Sequence, residues 1–256
     1  MAPQGLPARK TVMLIDLTDN ADLFHTDDGT AFADLPIDGH RETWPVHSAR
    51  FRSWLRRNHY EATGEAADYA AISLALNLLE ARAQFDGPQR PVFLRVAEQD
   101  GRIYLDLADE SWRAVEIGAD GWQVIMCPPV RFRRTAGMLP LPVPVRGGSI
   151  DTLTAFFNIA TRDDFVLVIT WLLASLRGTG PYPILAVSGE QGSSKTVFSK
   201  MLRALIDPNV APVRTAPREE RDPCRMSPKH DDVQRARCGA SLSWHAHEYS
   251  VLSSTQ

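Results

Sequence analysis

One run of residues, between Gly189 and Thr196, has the types and spacing that suit phosphate binding. A phosphate-binding P-loop consists of a glycine, four further residues, and then Gly-Lys-Ser or Gly-Lys-Thr. Gly189, Lys195 and Thr196 match this pattern, whereas Ser194 takes the place of the second glycine and an additional Gly192 lies inside the loop. The run therefore predicts binding of ATP or a related nucleoside triphosphate.

Residues of the predicted loop have physical roles in holding a triphosphate. Glycines allow the backbone angles that aim successive N–H groups inward, and the N-terminus of the following helix adds partial positive charge. Lys195 would neutralise the β- and γ-phosphates, and the Thr196 hydroxyl would bind Mg²⁺. Ser194 crowds a place that is usually bare, so we expect weaker binding. The predicted cofactor-binding residues are Gly189, Glu190, Gln191, Gly192, Ser193, Ser194, Lys195 and Thr196.

The segments around the loop fit the strand–loop–helix arrangement that the motif requires. Residues 184–187 form a continuous apolar run, which is typical of a buried parallel strand. After the loop, a helix is predicted whose apolar face consists of Val197, Phe198, Met201, Leu202 and Leu205. The alternative is a helix-capping loop, in which Ser193 or Ser194 merely caps the helix and Lys195 is solvated.

Hydrolysis of a bound triphosphate needs a further acidic residue, at the end of an apolar strand, that holds Mg²⁺ and positions water. No such strand is recognisable after Lys195, because the acidic pairs at 219–220 and 231–232 follow charged or proline-containing segments. The catalytic residues are therefore unknown, and we expect hydrolysis to be impaired. Residues 223–256 lack any helical or strand period, and we interpret them as a non-native end on a truncated ATPase, either out-of-frame translation or a foreign segment.

The predicted fold class is an α+β N-terminal domain followed by a partial P-loop α/β domain with a parallel sheet. Residues 1–137 form the first domain, with a helix capped by Ser48, a second helix over about residues 65–85 and a β-meander within residues 90–134. Alternating prolines and apolar residues make 138–148 a connector. The predicted P-loop domain spans residues 149–222, and the irregular tail spans residues 223–256.

Composition narrows the class of protein further. The formal charge of −3 excludes a uniformly basic nucleic-acid-binding particle, and the longest apolar stretch, residues 165–176, is too short to cross a bilayer. The three cysteines form no ligand pair, which favours a reducing cytoplasm and disfavours a structural zinc. Cys238 with His245 and His247 lacks the spacing of a zinc site.

The motif and its flanks also resemble a known family. Residues 188–196 (Ser-Gly-Glu-Gln-Gly-Ser-Ser-Lys-Thr), with residues 202–209 and 216–222, resemble ATP-binding proteins of phages and genomic islands, which are similar to the helicase part of primase–helicase replication proteins. Segments near residues 23–45 and 128–134 extend the resemblance to roughly residues 15–222.

The resemblance implies an ATPase that acts on DNA in replication of a mobile genetic element such as a prophage, and a homo-oligomer in the full-length family. Its P-loop roles carry over to Gly189, Gly192, Lys195 and Thr196. Family members continue into an apolar strand that ends in Asp-Asn, and this chain departs from that pattern at Pro223. The metal-holding acid, the sensor residues and the arginine finger are therefore not identifiable.

Two other functions stay open. The first is a non-enzymatic module that binds nucleic acid or protein, in which arginines contact phosphates and an aromatic ring stacks on bases. Its candidate residues are Arg50, Arg52, Trp54, Arg56, Arg57 and His59 near one helix, and Arg131, Arg133 and Arg134 on one predicted strand. The competing interpretation places the aromatic residues in the core and the arginines in solvent. The second is a nonfunctional remnant of a longer ATPase.

Overall fold

The computed structural model describes residues 6–212. The chain divides into two compact units, Met1–Pro144 and Val145–Gln256. Their boundary falls inside the connector predicted at residues 138–148.

The first unit begins with a helix and a three-stranded antiparallel sheet. Helix α1, Leu6–Asp16, is followed by β1 at Asp22–His25, β2 at Ala31–Ile37 and β3 at His40–Pro45, paired in the order β1-β2-β3. The apolar pattern of residues 11–24 fits either a short helix or a strand. The structure has both, since α1 ends at Asp16 and β1 begins at Asp22. Asp27-Asp28-Gly29, a sequence typical of a turn, joins β1 to β2.

Two capped helices pack against this sheet. Helix α2, Ala49–Thr63, starts after Ser48, whose hydroxyl accepts a hydrogen bond from Phe51 N, as predicted. Helix α3, Tyr69–Phe85, starts about four residues later than predicted because Asp68 caps it. Their inner faces join β2, β3 and α1 in one core, whose least exposed members include Leu14, Ala33, Val46, Phe51, Leu55, Ala75 and Leu79.

The β-meander lies in the second half of this unit. Strand β4 covers Val92–Phe93, and the antiparallel meander that follows consists of β5 Val96–Gln99, β6 Arg102–Asp106, β7 Ala114–Gly118 and β8 Gly121–Ile125. The dipeptide Asp100-Gly101 is a strong sequence signal for a hairpin turn, and these residues, with φ of 52° and 71°, form the turn between β5 and β6. The apolar run at residues 92–94 predicts one more strand of the meander, but Val92–Phe93 pairs instead in parallel with β9, Arg131–Phe132.

The described part of the second unit is helical. A 3-10 helix at Ile150–Ala155 precedes α4, Arg162–Ser175, and α5, Lys195–Ile206. Thr161 caps α4 by accepting a hydrogen bond from Asp164 N. Helices α4 and α5 share a small core whose buried residues are Phe157, Phe165, Val168 and Leu202.

Two secondary-structure predictions in this unit were wrong. The apolar pattern of residues 152–159 predicts an α-helix, but the structure has only the short 3-10 helix there. Residues 184–187, predicted as a buried parallel strand, form no strand. Ile184 is 73% exposed. A strand needs a neighbour for its backbone N–H and C=O groups, and residues 145–212 contain no β-strand with which this segment could pair. The parallel sheet of the predicted fold class is therefore not among the described residues.

Candidate phosphate-binding site

Core contacts hold helix α5, whose first residue is Lys195. Leu202 is 2% exposed, and the ring of Phe198 meets that of Phe157 edge-on with 5.1 Å between centroids. One turn after Lys195, the Ser199 hydroxyl donates a hydrogen bond of 2.8 Å to the Lys195 carbonyl. The first turn of α5, where the predicted loop ends, is therefore held by packing as well as by helical hydrogen bonds.

Three residues of the loop have a positive φ: Gly189 at 150°, Gly192 at 86° and Ser194 at 61°. Glycine takes such angles without strain because it has no Cβ atom. A Cβ added at Gly189 would lie 2.9 Å from Ser193 Oγ, so a side chain there would clash. Ser194 has φ 61° and ψ 19°, in the left-handed region, at the place where the motif has glycine. This gives a backbone reason for glycine at that place, in addition to the crowding expected from the sequence.

The geometry argues against the alternative in which the Ser194 side chain caps the helix. Ser194 is the N-cap residue of α5, yet its side chain makes no capping hydrogen bond. Its carbonyl accepts the first helical hydrogen bond, from Phe198 N at 3.0 Å. The N–H groups in the first turn of a helix have no acceptor within the helix, and their partial positive charge is directed toward the preceding loop.

The ammonium group of Lys195 draws the loop together. Nζ donates to the Gly189 carbonyl at 2.8 Å, to the Glu190 carbonyl at 2.6 Å and to Ser193 Oγ at 3.1 Å. The Ser193 amide donates to the Glu190 carbonyl at 3.2 Å. A full positive charge therefore lies against the loop backbone, beside the positive end of α5.

The remaining predicted residues lie on the exposed side of this arrangement. Gln191 and Gly192 form the exposed turn of the loop. Thr196, the predicted Mg²⁺ ligand, is the second residue of α5 and is exposed. The structure thus brings four of the eight predicted residues into mutual contact, namely Gly189, Glu190, Ser193 and Lys195.

Among residues 6–212 the structure shows no cluster of three or more His, Cys, Asp or Glu side chains that could hold a metal ion. The acidic pairs at 219–220 and 231–232 and the predicted tail at residues 223–256 lie outside the described residues.

Most of the basic and aromatic residues of the alternative binding module are engaged within the first unit. Trp54 is half-buried and stacks on Phe51. His59 is 1% exposed. The ion pairs of the arginines join Arg50 to Glu42 at 2.6 Å, Arg57 to Glu61 at 2.7 Å, Arg131 to Asp34 at 2.5 Å and Arg134 to Asp106 at 2.6 Å. Of the three arginines on the predicted basic strand, only Arg131 belongs to β9. Arg133 comes directly after β9, and burial lowers the pKa of its guanidinium.

Two buried aspartates, which no sequence motif marks, organise this unit. Asp34, 1% exposed, accepts a hydrogen bond from Arg41 at 2.8 Å and from Thr43 at 3.1 Å, and Arg131 approaches it as an ion pair without hydrogen-bond geometry. Asp106, also 1% exposed, binds Arg134. The sequence did carry one signal for Asp34, because it is a charged residue inside the apolar strand β2. A buried carboxylate needs a partner, so such a residue indicates an ion pair.

Trp112 is a second feature that the sequence did not indicate. Its φ of 55° is exceptional for a bulky residue. Its ring stacks on His40 at 5.6 Å, and the guanidinium of Arg134 lies 3.8 Å from its centroid. These contacts tie the loop after β6 to the β2–β3 hairpin.

In the part of the chain that is described, no helix is both long enough and apolar enough to span a membrane.

The chain is similar in part to one known family. The family model of the actinomycete integrative conjugative element replication protein matches residues 150–226, less than a third of the chain. The predicted loop lies inside this segment, and the match supports a replication protein of a mobile element. No curated protein and no solved structure matches the chain.

Proposed function

We propose that residues 189–196 bind the phosphates of a nucleoside triphosphate such as ATP, in a protein that serves replication of a mobile element. The observation that carries this proposal is the loop itself. It has motif spacing, left-handed backbone at Gly192 and Ser194, and Lys195 at the start of a packed helix. The family match at residues 150–226 supports the replication context.

The loop offers two sources of positive charge to a phosphate. The first-turn amides of α5 supply partial charge, as helix N-termini do at many phosphate sites. The Lys195 ammonium supplies a full charge. On binding, phosphate oxygens would replace the Gly189 and Glu190 carbonyls as acceptors of the Nζ hydrogen bonds. Hydrogen bonds between ammonium and phosphate are charge-assisted and stronger than those to neutral carbonyls.

Thr196 is the residue that would hold Mg²⁺ through its hydroxyl. It comes directly after Lys195 in the chain, at the exposed start of α5. Bound Mg²⁺ would neutralise charge on the β- and γ-phosphates. One hydroxyl is a weak site by itself, because Mg²⁺ prefers carboxylates and phosphate oxygens. We therefore assign triphosphate binding, and not hydrolysis, to the described residues. The parallel-sheet P-loop fold class likewise stays part of the proposal, based on the motif.

A titration with a fluorescent ATP analogue and Mg²⁺ tests the proposal. We expect saturable binding by the wild-type protein that Lys195→Ala abolishes. Lys200→Ala, the matched control, removes the same charge from an exposed position of the same helix and should bind normally. Equal loss in both variants, or no binding by folded wild-type protein, would refute the site. In Thr196→Ala, the difference between binding with Mg²⁺ and with EDTA should largely disappear.

A further inference from the structure

The four arginines of α2 fall into two classes. Arg50 pairs with Glu42 at 2.6 Å and Arg57 pairs with Glu61 at 2.7 Å, so acids of the same unit balance their charges. Hydrogen bonding to Glu61 also raises the pKa of Arg57. Arg52 and Arg56 have no acidic partner among the described residues. The unbalanced positive charge of this helix is therefore at two specific positions.

These two arginines share one face of α2 with Tyr60. The three residues follow one another at intervals of four, so they lie along one side of the helix. Successive members are separated by about 6 Å along the helix axis. We call Arg52, Arg56 and Tyr60 the α2 stripe. Arg52 is partly exposed, Arg56 is exposed and Tyr60 is 61% exposed, so the stripe reaches solvent most fully at its Arg56–Tyr60 end.

The unbalanced charge and the exposed ring of the stripe indicate capacity for a ligand. The Nε atom of Arg52 is buried and so lies out of reach of a ligand; Arg52, which is partly exposed, contributes its unbalanced charge. Tyr60 is the one large apolar or aromatic side chain that α2 leaves exposed, because Phe51 and Leu55 are buried in the core. A ligand that supplies both anionic groups and flat rings would match this surface.

We propose that the α2 stripe binds single-stranded nucleic acid, with phosphates at Arg52 and Arg56 and a base stacked on Tyr60. Basic side chains that follow the backbone, next to an aromatic ring for a base, are the general means of binding single strands. A duplex would offer phosphates but no unstacked base for the tyrosine ring. A membrane surface fits less well, since α2 exposes no further apolar side chain for insertion.

The stripe belongs to the first unit and lies outside the family match at residues 150–226. Its binding should therefore need neither ATP nor Lys195. This separates it from the proposed triphosphate site: Lys195→Ala should keep the interaction with nucleic acid, and changes in the stripe should keep binding of the ATP analogue.

Fluorescence anisotropy with a labelled oligodeoxythymidine, measured over a range of salt concentrations, tests the stripe. We expect Arg52→Gln/Arg56→Gln to lower the slope of log affinity against log salt by about 1.4, since each phosphate contact to a single strand contributes about 0.7. Tyr60→Ala should weaken binding at least about fivefold, the lower end for a base stacked on an aromatic ring. Thermal melting checks that each variant is folded. If the double variant is unfolded, the single variant Arg56→Gln replaces it in the test and should lower the salt slope by about 0.7.

Two matched controls make the test specific. Arg57→Gln removes the same charge one residue away, from an arginine that is already paired, and should leave the salt slope nearly unchanged. Tyr69→Ala removes a ring of comparable exposure, 70% against 61% for Tyr60, from α3 and should bind normally. The proposal is overturned if Arg57→Gln acts like Arg56→Gln, if Tyr69→Ala acts like Tyr60→Ala, or if wild-type protein does not bind the oligonucleotide at low salt. Equal or tighter binding to duplex DNA or to anionic vesicles would also overturn it.

Discussion

Replacing Ser194 by glycine should improve the loop, because Ser194 has a backbone conformation that favours glycine. Its φ of 61° and ψ of 19° are left-handed, and its side chain makes no capping hydrogen bond in compensation. A left-handed residue with a Cβ costs roughly 1–2 kcal/mol. Glycine removes that cost but adds about 0.5–1 kcal/mol of backbone entropy loss on folding. The net gain is about 1 kcal/mol, a factor of about five in an equilibrium constant.

Two measurements together should recover this gain. If the free loop keeps its left-handed backbone, the strain is relieved before binding, and the free energy of unfolding rises by about 1 kcal/mol. If the free loop relaxes and binding restores the conformation, affinity for the ATP analogue rises about fivefold instead. The gain in unfolding free energy from urea unfolding and the gain in binding free energy from the analogue titration should therefore add up to about 1 kcal/mol.

The control is Ser188→Gly, six residues earlier in the same segment, at an exposed serine whose φ is not positive. This change should add chain entropy without relieving strain, so stability and affinity should stay equal or fall. The reasoning is refuted if Ser194→Gly raises neither quantity, or if the two glycine variants behave alike.

Three further outcomes follow from the described contacts. Gly189→Ala should weaken binding of the ATP analogue, because its Cβ would clash with Ser193 Oγ at 2.9 Å, and titration against wild-type protein shows whether affinity is instead retained. Asp34→Asn should lower the free energy of unfolding by about 3 kcal/mol in urea, since it removes the buried partner of two arginines, whereas Asp22→Asn breaks a half-exposed pair and should cost under about 1 kcal/mol. Burial raises the pKa of Tyr104, so the stabilisation by its neutral hydroxyl is complete below pH 10 and is lost as pH rises through the folded-state pKa. In Tyr104→Phe, the loss of stability at alkaline pH that comes from ionisation of this tyrosine should be absent. A pH profile of stability equal to that of the wild-type protein would contradict this.

Features set by neighbouring residues could be predicted from the sequence. Asp100-Gly101 specifies a tight hairpin by itself, and Ser48 caps α2 through a hydrogen bond that spans three residues. The helix after the loop was predicted from its apolar period and starts at Lys195. The spacing of the candidate loop also needed no tertiary information. Each of these features depends on interactions within a few residues, so a local pattern is enough.

Features that depend on distant partners could not be predicted in the same way. The pattern at Val92–Phe93 indicates a strand but not its partner, which is Arg131–Phe132. The pairing of Asp34 with Arg131 joins residues far apart in the chain, and no spacing rule connects them. The left-handed backbone of Ser194 was missed for another reason: the sequence shows which residue replaces glycine, but not whether the loop keeps the backbone that glycine allows.

The segment at residues 184–187 shows why an apolar run alone does not establish a strand. Burial of Ile184 would be favourable by roughly 2 kcal/mol, yet a strand also requires a partner for its peptide groups, and residues 145–212 provide none. Leu167 and Leu173 of α4 are likewise 63% and 62% exposed. These apolar side chains are of the kind that a parallel sheet and its flanking helices would bury. The predicted α/β class therefore requires additional strands to pair with residues 184–187, and hydrogen exchange of those four amides is the direct measure of whether such pairing occurs.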